Sequence, residues 1–104
     1  MEVASDKKAV DVVLLRTAEV TTMADYFVIC SGRSDRQVGA LARSITDELR
    51  NDGVKPIGTE GVAAARWVLI DYGAVIVHVF APEEREYYGL ERLWSSATQV
   101  VRVV

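Results

Sequence analysis

The chain carries one cysteine, Cys30, and one histidine, His78, among 104 residues. A lone cysteine excludes a disulfide within the chain, which suits a reducing compartment. One histidine and one cysteine are also too few for a zinc site, which needs about four such ligands at suitable spacing. No D-x-D pair occurs anywhere in the chain. Metal-dependent nucleotidyl transfer needs carboxylates held close together around Mg²⁺, and Asp71 is the only carboxylate at the expected strand ends. No stretch approaches the roughly 20 apolar residues of a membrane span. The N-terminus has an acidic residue at Glu2 and no apolar run ending in a small-residue cleavage site, so it does not read as a signal peptide. Basic residues are outnumbered 15 to 12, for a formal net charge of −3. That balance argues against a protein whose main affinity is for bare phosphate backbone. It leaves room for a basic protein partner.

What is present is globular. Half the residues are hydrophobic and 26% are charged, and the length suits one domain with a modest core. Residues 11–15, DVVLL, read as a buried strand, and Tyr26 to Cys30 as a second. Ser34 and Gln37 form an S-x-x-Q capping box. Val38, Leu41, Ala42, Ile45 and Leu49 then recur at helical spacing, so a helix runs from about Asp35 to Asn51, with Gly53 as its left-handed C-terminal cap. Residues 54–58, VKPIG, read as a short edge strand held there by Pro56. WVLI, DYG and AVIVHVF (67–80) read as a hairpin with Gly73 in its turn. Pro82, Glu83 and Glu84 suit the first turn of a closing helix. The fold class is therefore α/β, one domain with a mixed sheet of about five strands and flanking helices.

The residues themselves then point further. DYFVICSGRSDRQVGALA (25–42), EG (60–61), WVLIDYGAVIVHVF (67–80) and R-x-x-Y-x-LE-x-LW over Arg85 to Trp94 together resemble the ribosomal silencing factor family, also called RsfS or Iojap-like. The resemblance covers roughly residues 6 to 95. It implies a small domain similar to the nucleotidyltransferase fold, without catalysis or cofactor. It implies a translational repressor that binds the large ribosomal subunit at its fourteenth protein and sterically blocks joining of the small subunit. Its two motifs imply partner contacts at Trp67, Asp71, His78, Arg85, Tyr88, Leu90 and Glu91. The expected partner is a basic ribosomal protein at the intersubunit face, with no specific nucleic-acid readout and no membrane. The expected location is the cytoplasm or an organelle interior. The family usually begins with a longer first helix, so residues 1–95 read as the domain with a shortened N-terminus and 96–104 as an extension. VVRVV within that extension reads as either an added strand or a tail.

Bland readings compete at each position. His78 alternates with Ile76 and Phe80 on one strand face and reads as a hydrogen-bonded structural or interface residue. Cys30 reads as a small buried hydrophobe. Gly61 reads as a backbone position closed to other residues, and Glu60 as a cap or a partner for Arg66 or Arg85. In YYGLERLW (87–94), a helical stripe of Tyr87, Leu90, Leu93 and Trp94 would pack the segment on the sheet. Leu93 and Trp94 are expected to anchor it. Tyr88 and Leu90 are expected to surface beside Trp67 as an apolar patch rimmed by Asp71, Glu83, Glu84, Glu86 and Glu91. The runner-up function is a nucleotidyltransferase-like enzyme with a non-standard site. A third reading is a homodimer in which the patch contacts itself.

Overall fold

The structure is a computed structural model that describes residues 9–93 and 96–103, with the side chain of Leu93 outside that description. The chain runs β1 (Val10–Arg16), β2 (Tyr26–Ser31), α1 (Asp35–Asn51), β3 (Gly58–Glu60), β4 (Trp67–Asp71), β5 (Val75–Phe80), α2 (Pro82–Tyr88), α3 (Leu90–Leu93) and β6 (Thr98–Val103). The six strands form one sheet in the order β3-β4-β5-β2-β1-β6. Only β2 and β5 run parallel, as expected for strands joined through a helix. The other neighbours are antiparallel.

Alternation along the strands divides the core between two faces. Val12, Val28, Cys30, Val68, Ile70, Val77 and Val79 point to the face covered by Val38, Leu41, Ala42 and Ile45 of α1. Val13, Leu15, Phe27, Ile29, Ile76 and Phe80 point the other way and meet Leu90 of α3. Burial on both faces explains why the central strands are nearly continuous apolar runs.

The α1 ends are those the sequence signals. Ser34 Oγ accepts from the Gln37 N–H at 3.2 Å, and Gln37 Oε1 accepts from the Arg33 N–H at 2.6 Å. The reciprocal bond thus falls one residue before the N-cap. Gly53, at φ 83°, releases the chain in the left-handed region.

One expectation changes, one open alternative is decided, and one irregularity is new. The edge strand begins at Gly58 rather than Val54, because pairing with β4 starts where the Ile57 N–H donates to the Asp71 carbonyl at 2.7 Å, just past Pro56. The segment 98–103 is a strand and not a tail: β6 pairs antiparallel with β1, so it belongs to the same sheet as the rest of the domain. β1 holds a bulge between Val10 and Val13, with Asp11 at φ 48°. Aspartate tolerates that region better than most residues, and the bulge re-aims its carboxylate.

Candidate partner-binding site

The surface expected to meet a partner is built where β4 begins and α2 ends. α2 starts on Pro82, needs no side-chain cap, and stops at Gly89, which sits at φ 54° with its N–H on the Arg85 carbonyl. That left-handed residue breaks YYGLERLW into two helical pieces. A single continuous helix, the basis for placing Tyr87 with Leu90, therefore does not exist. Tyr87 is 80% exposed and Leu90 only 9%. The expectation that Leu90 surfaces and Tyr87 packs inward is reversed. The redirection at Gly89 turns Leu90 into the apolar cluster on the sheet's second face. Trp94 and the Leu93 side chain, the expected anchors, lie outside the described residues.

Tyr88 does reach the surface beside Trp67. It is 49% exposed, and its ring centroid lies 4.7 Å from that of Trp67. Tyr87 packs against it at 5.1 Å and 88°. Behind it, Trp67 stacks on Phe80 at 4.9 Å and 26°. The four rings form a column from solvent to core, since Phe80 is fully buried. Tyr87 and Tyr88 also line a depression of about 360 Å³ with Glu83 and Glu84. Aromatic faces beside two carboxylates suit a lysine or arginine side chain, through cation–π attraction and ion pairing together.

His78 belongs to the base of this column and not to its surface. It is 4% exposed, which corrects its expected direct contact with a partner. The Trp67 Nε1–H donates to His78 Nδ1 at 3.1 Å, and Phe27 meets the imidazole edge-on at 4.8 Å. Burial pushes the His78 pKa down to about 4. A charged ring would carry a proton on both nitrogens, so the indole N–H would then face another donor. The unfolded chain gains that proton near the ordinary value of 6.5. Stability is therefore complete above about pH 6.5 and drains away as the pH falls towards about 4, where the folded ring also titrates. The loss amounts to at most about 3 kcal/mol. Urea unfolding across that range, on the parent and on His78→Gln, should show a shallower pH dependence in the variant. Equal slopes would remove His78 as the source.

Arg85 and Glu91 clamp the scaffold. The Arg85 side chain is 12% exposed. Its Nε donates to Glu91 Oε1 at 2.8 Å, and its Nη1 to Ser31 Oγ at 2.9 Å and the Val10 carbonyl at 3.3 Å. The Asp11 carboxylate stands 3.6 Å from Nη2 and is held in turn by Arg102 of β6 at 2.6 Å. Arg85 is thus placed to fix α2 on β1 and β2, with its guanidinium occupied within the domain.

Asp71 is also separate. Its Oδ1 accepts from the Gly73 N–H at 2.8 Å and shapes the hairpin turn. It stands four residues along β4 from Trp67, roughly 13 Å at strand rise. Of the seven expected contact residues, the fold brings Trp67 and Tyr88 together at the surface, with His78 and Leu90 beneath and Arg85 and Glu91 in the clamp.

Sequence reasoning missed Arg66. Its guanidinium joins Asp35 at the start of α1 to Glu84 on α2, with Glu83 at 3.5 Å. The hydrogen bond from Arg66 holds the Glu84 carboxyl below its usual range. Glu60, offered as its partner, is exposed on β3 and pairs with neither Arg66 nor Arg85. Gly61 has the closed conformation expected, at φ 79°. An added Cβ there would stand 2.1 Å from the Trp67 carbonyl oxygen.

Among the described residues no group of three or more His, Cys, Asp or Glu side chains could hold a metal. Burial pushes the Cys30 thiol up to about 12, which makes it inert as a nucleophile near neutrality. No described helix is long and apolar enough to cross a membrane.

Comparison with known proteins follows the same residues. A family model described as "Ribosomal silencing factor during starvation" matches residues 1–103. The chain is 49% identical over 92 residues to the ribosomal silencing factor RsfS of Bacillus subtilis, covering 88% of this chain and 78% of that one. A crystal structure of a Chromobacterium violaceum protein superposes with a TM-score of 0.87 at 40% identity, covering 90% of this chain and 78% of the other. A crystal structure of a Bacillus halodurans protein gives a TM-score of 0.80 at 44% identity, covering 89% and 87%.

Proposed function

The chain belongs to the ribosomal silencing factor family, and from that membership we propose that it represses translation by docking on the large ribosomal subunit and blocking joining of the small one. The contact is with the subunit's fourteenth protein at the intersubunit face, through the Tyr87–Tyr88–Trp67 column and the carboxylates beside it. The observation that carries this reading is the packing of Tyr88 against Trp67, with ring centroids 4.7 Å apart and the planes tilted by 44°. A half-exposed aromatic pair on a rigid base is the usual form of an interface hot spot. Glu83 and Glu84 give that surface the sign that attracts a basic partner and speeds encounter. The chain works as a steric block, with no chemistry of its own, wherever it meets ribosomes: cytoplasm or organelle interior.

The test is sedimentation with separated subunits. The chain should travel with large subunits and not with small ones. Tyr88→Ala should weaken that binding by about 2 kcal/mol, roughly thirtyfold. Its melting temperature should move little, since the residue is half exposed. Equal recovery on both subunits would refute the reading. Unchanged affinity in Tyr88→Ala would move the contact away from the aromatic column.

A further inference from the structure

Six of the chain's nine arginines fall into two groups. Arg66, Arg85 and Arg102 each hold carboxylates, and all three hold the α2–α3 end of the molecule. Arg36 and Arg43 hold none among the described residues. Arg50 has only Asp47, at 3.8 Å, with both side chains more than half exposed; such a surface pair is worth little. Shortage does not explain this, because the chain has 15 acidic residues against 12 basic.

Their placement is regular. Residues 36, 43 and 50 are seven apart on α1, which returns each to nearly the same side of the helix. All three are exposed, and Ala40 is exposed between the first two. They span roughly 21 Å at helical rise. Arg43 and Arg50 also border a groove of about 260 Å³ between α1 and the β3–β4 edge, lined otherwise by Thr59 and by apolar residues such as Ala42, Val62 and Ile70. A line of exposed guanidinium groups suits repeated phosphates, since arginine's fork matches phosphate oxygens two at a time. The Arg66–Asp35 bridge ties the start of α1 to α2. The stripe therefore begins beside the aromatic column and runs away from it along the flank.

We propose that this arginine flank of α1 lies against the phosphate backbone of ribosomal RNA when the chain is docked. The proposal rests on the large-subunit reading above. The flank supplies a sequence-independent second contact, while the aromatic column supplies the protein-specific one. The net charge of −3 keeps the chain from seeking RNA alone, so the flank acts only once docking has brought phosphates near. Arg50 in the last turn already suits the helix dipole, so Arg36 and Arg43 are the diagnostic pair.

The experiment measures the affinity of the full chain for purified large subunits across a salt series, with hydroxyl-radical footprinting of the subunit RNA. Variants are the double substitution Arg36→Gln with Arg43→Gln, Tyr88→Ala, and Arg16→Gln as an exposed control off the stripe. The double variant should bind about tenfold more weakly at low salt and lose about 0.7–0.9 of the logarithmic salt slope per arginine. It should also lose a run of backbone protections seen with the parent. Arg16→Gln should keep the parent slope and footprint. An unchanged slope and footprint in the double variant overturns the proposal. A reduced slope with no loss of RNA protection also overturns it, because the flank would then meet an acidic protein surface. If the parent binds and Tyr88→Ala weakens it while the double variant does not, only the RNA contact fails. If the parent does not bind large subunits, the docking reading fails and takes this one with it.

Discussion

Trp67→Ala should cost the fold about 4–8 kcal/mol and weaken large-subunit binding beyond what Tyr88→Ala does. Removing a packed tryptophan costs about 3–5 kcal/mol through lost burial and the cavity left behind. Here the indole also satisfies a buried acceptor, His78 Nδ1, at 3.1 Å. Orphaning that nitrogen adds about 1–3 kcal/mol. The ring further supports Tyr88 on one side and stacks on Phe80 on the other, so its loss also disorders the proposed contact. Trp67→Phe narrows the comparison: it keeps an aromatic face on Phe80 and removes the indole N–H together with one ring's volume. Urea unfolding and subunit binding on both variants check this. A Trp67→Ala protein as stable as the parent would show that the column is a surface ornament and not part of the core.

Gly61→Ala should destabilise by about 3 kcal/mol or more. Two costs add at this position. Any residue with a Cβ pays about 1–2 kcal/mol for the left-handed region. The new methyl would also stand 2.1 Å from the Trp67 carbonyl oxygen, a backbone atom that cannot rotate away, and such overpacking costs about 1–3 kcal/mol or more. Gly53 is the matched control. Its φ is 83°, yet a Cβ there meets nothing within 4 Å, so Gly53→Ala should cost only the conformational part, about 1 kcal/mol. The difference between the two variants measures the overlap. If both unfold at the same urea concentration, the close approach of Gly61 to Trp67 is not a constraint. If the expectation holds, Gly61 sets where Trp67 enters the sheet, and binding should fall with stability.

These two residues show how sequence and tertiary structure share the outcome. The α1 helix was legible because its information is local. Ser34 and Gln37 sit three residues apart, and the apolar stripe repeats within each turn, so no distant contact is needed to place either end. The hairpin was legible for the same reason, with Gly73 between two apolar arms. Family membership was legible because ordered motifs survive in one dimension, whatever their side chains touch.

What failed did so where distance along the chain is large or where one backbone angle redirects everything after it. Gly89 reads equally well as a weak point inside a helix or as its end, and only the burial of Leu90 in the cluster on the sheet's second face selects the end. That choice exchanges the fates of Tyr87 and Leu90. Arg85 meets Ser31 and the Val10 carbonyl from 54 and 75 residues away, so no spacing rule could mark it as a clamp in place of a contact. His78 lies under Trp67 because β4 and β5 pair in a register that sets Trp67 opposite Phe80 and Leu69 opposite His78. The 98–103 strand is exposed along its whole length, so it carries no burial pattern to announce itself; β1 offers the pairing edge. By itself the sequence determined the helix, the strand alternation and the family. Which aromatic groups meet solvent and which arginines hold carboxylates was decided by the tertiary structure, because burial and ion pairing depend on residues that only folding brings together.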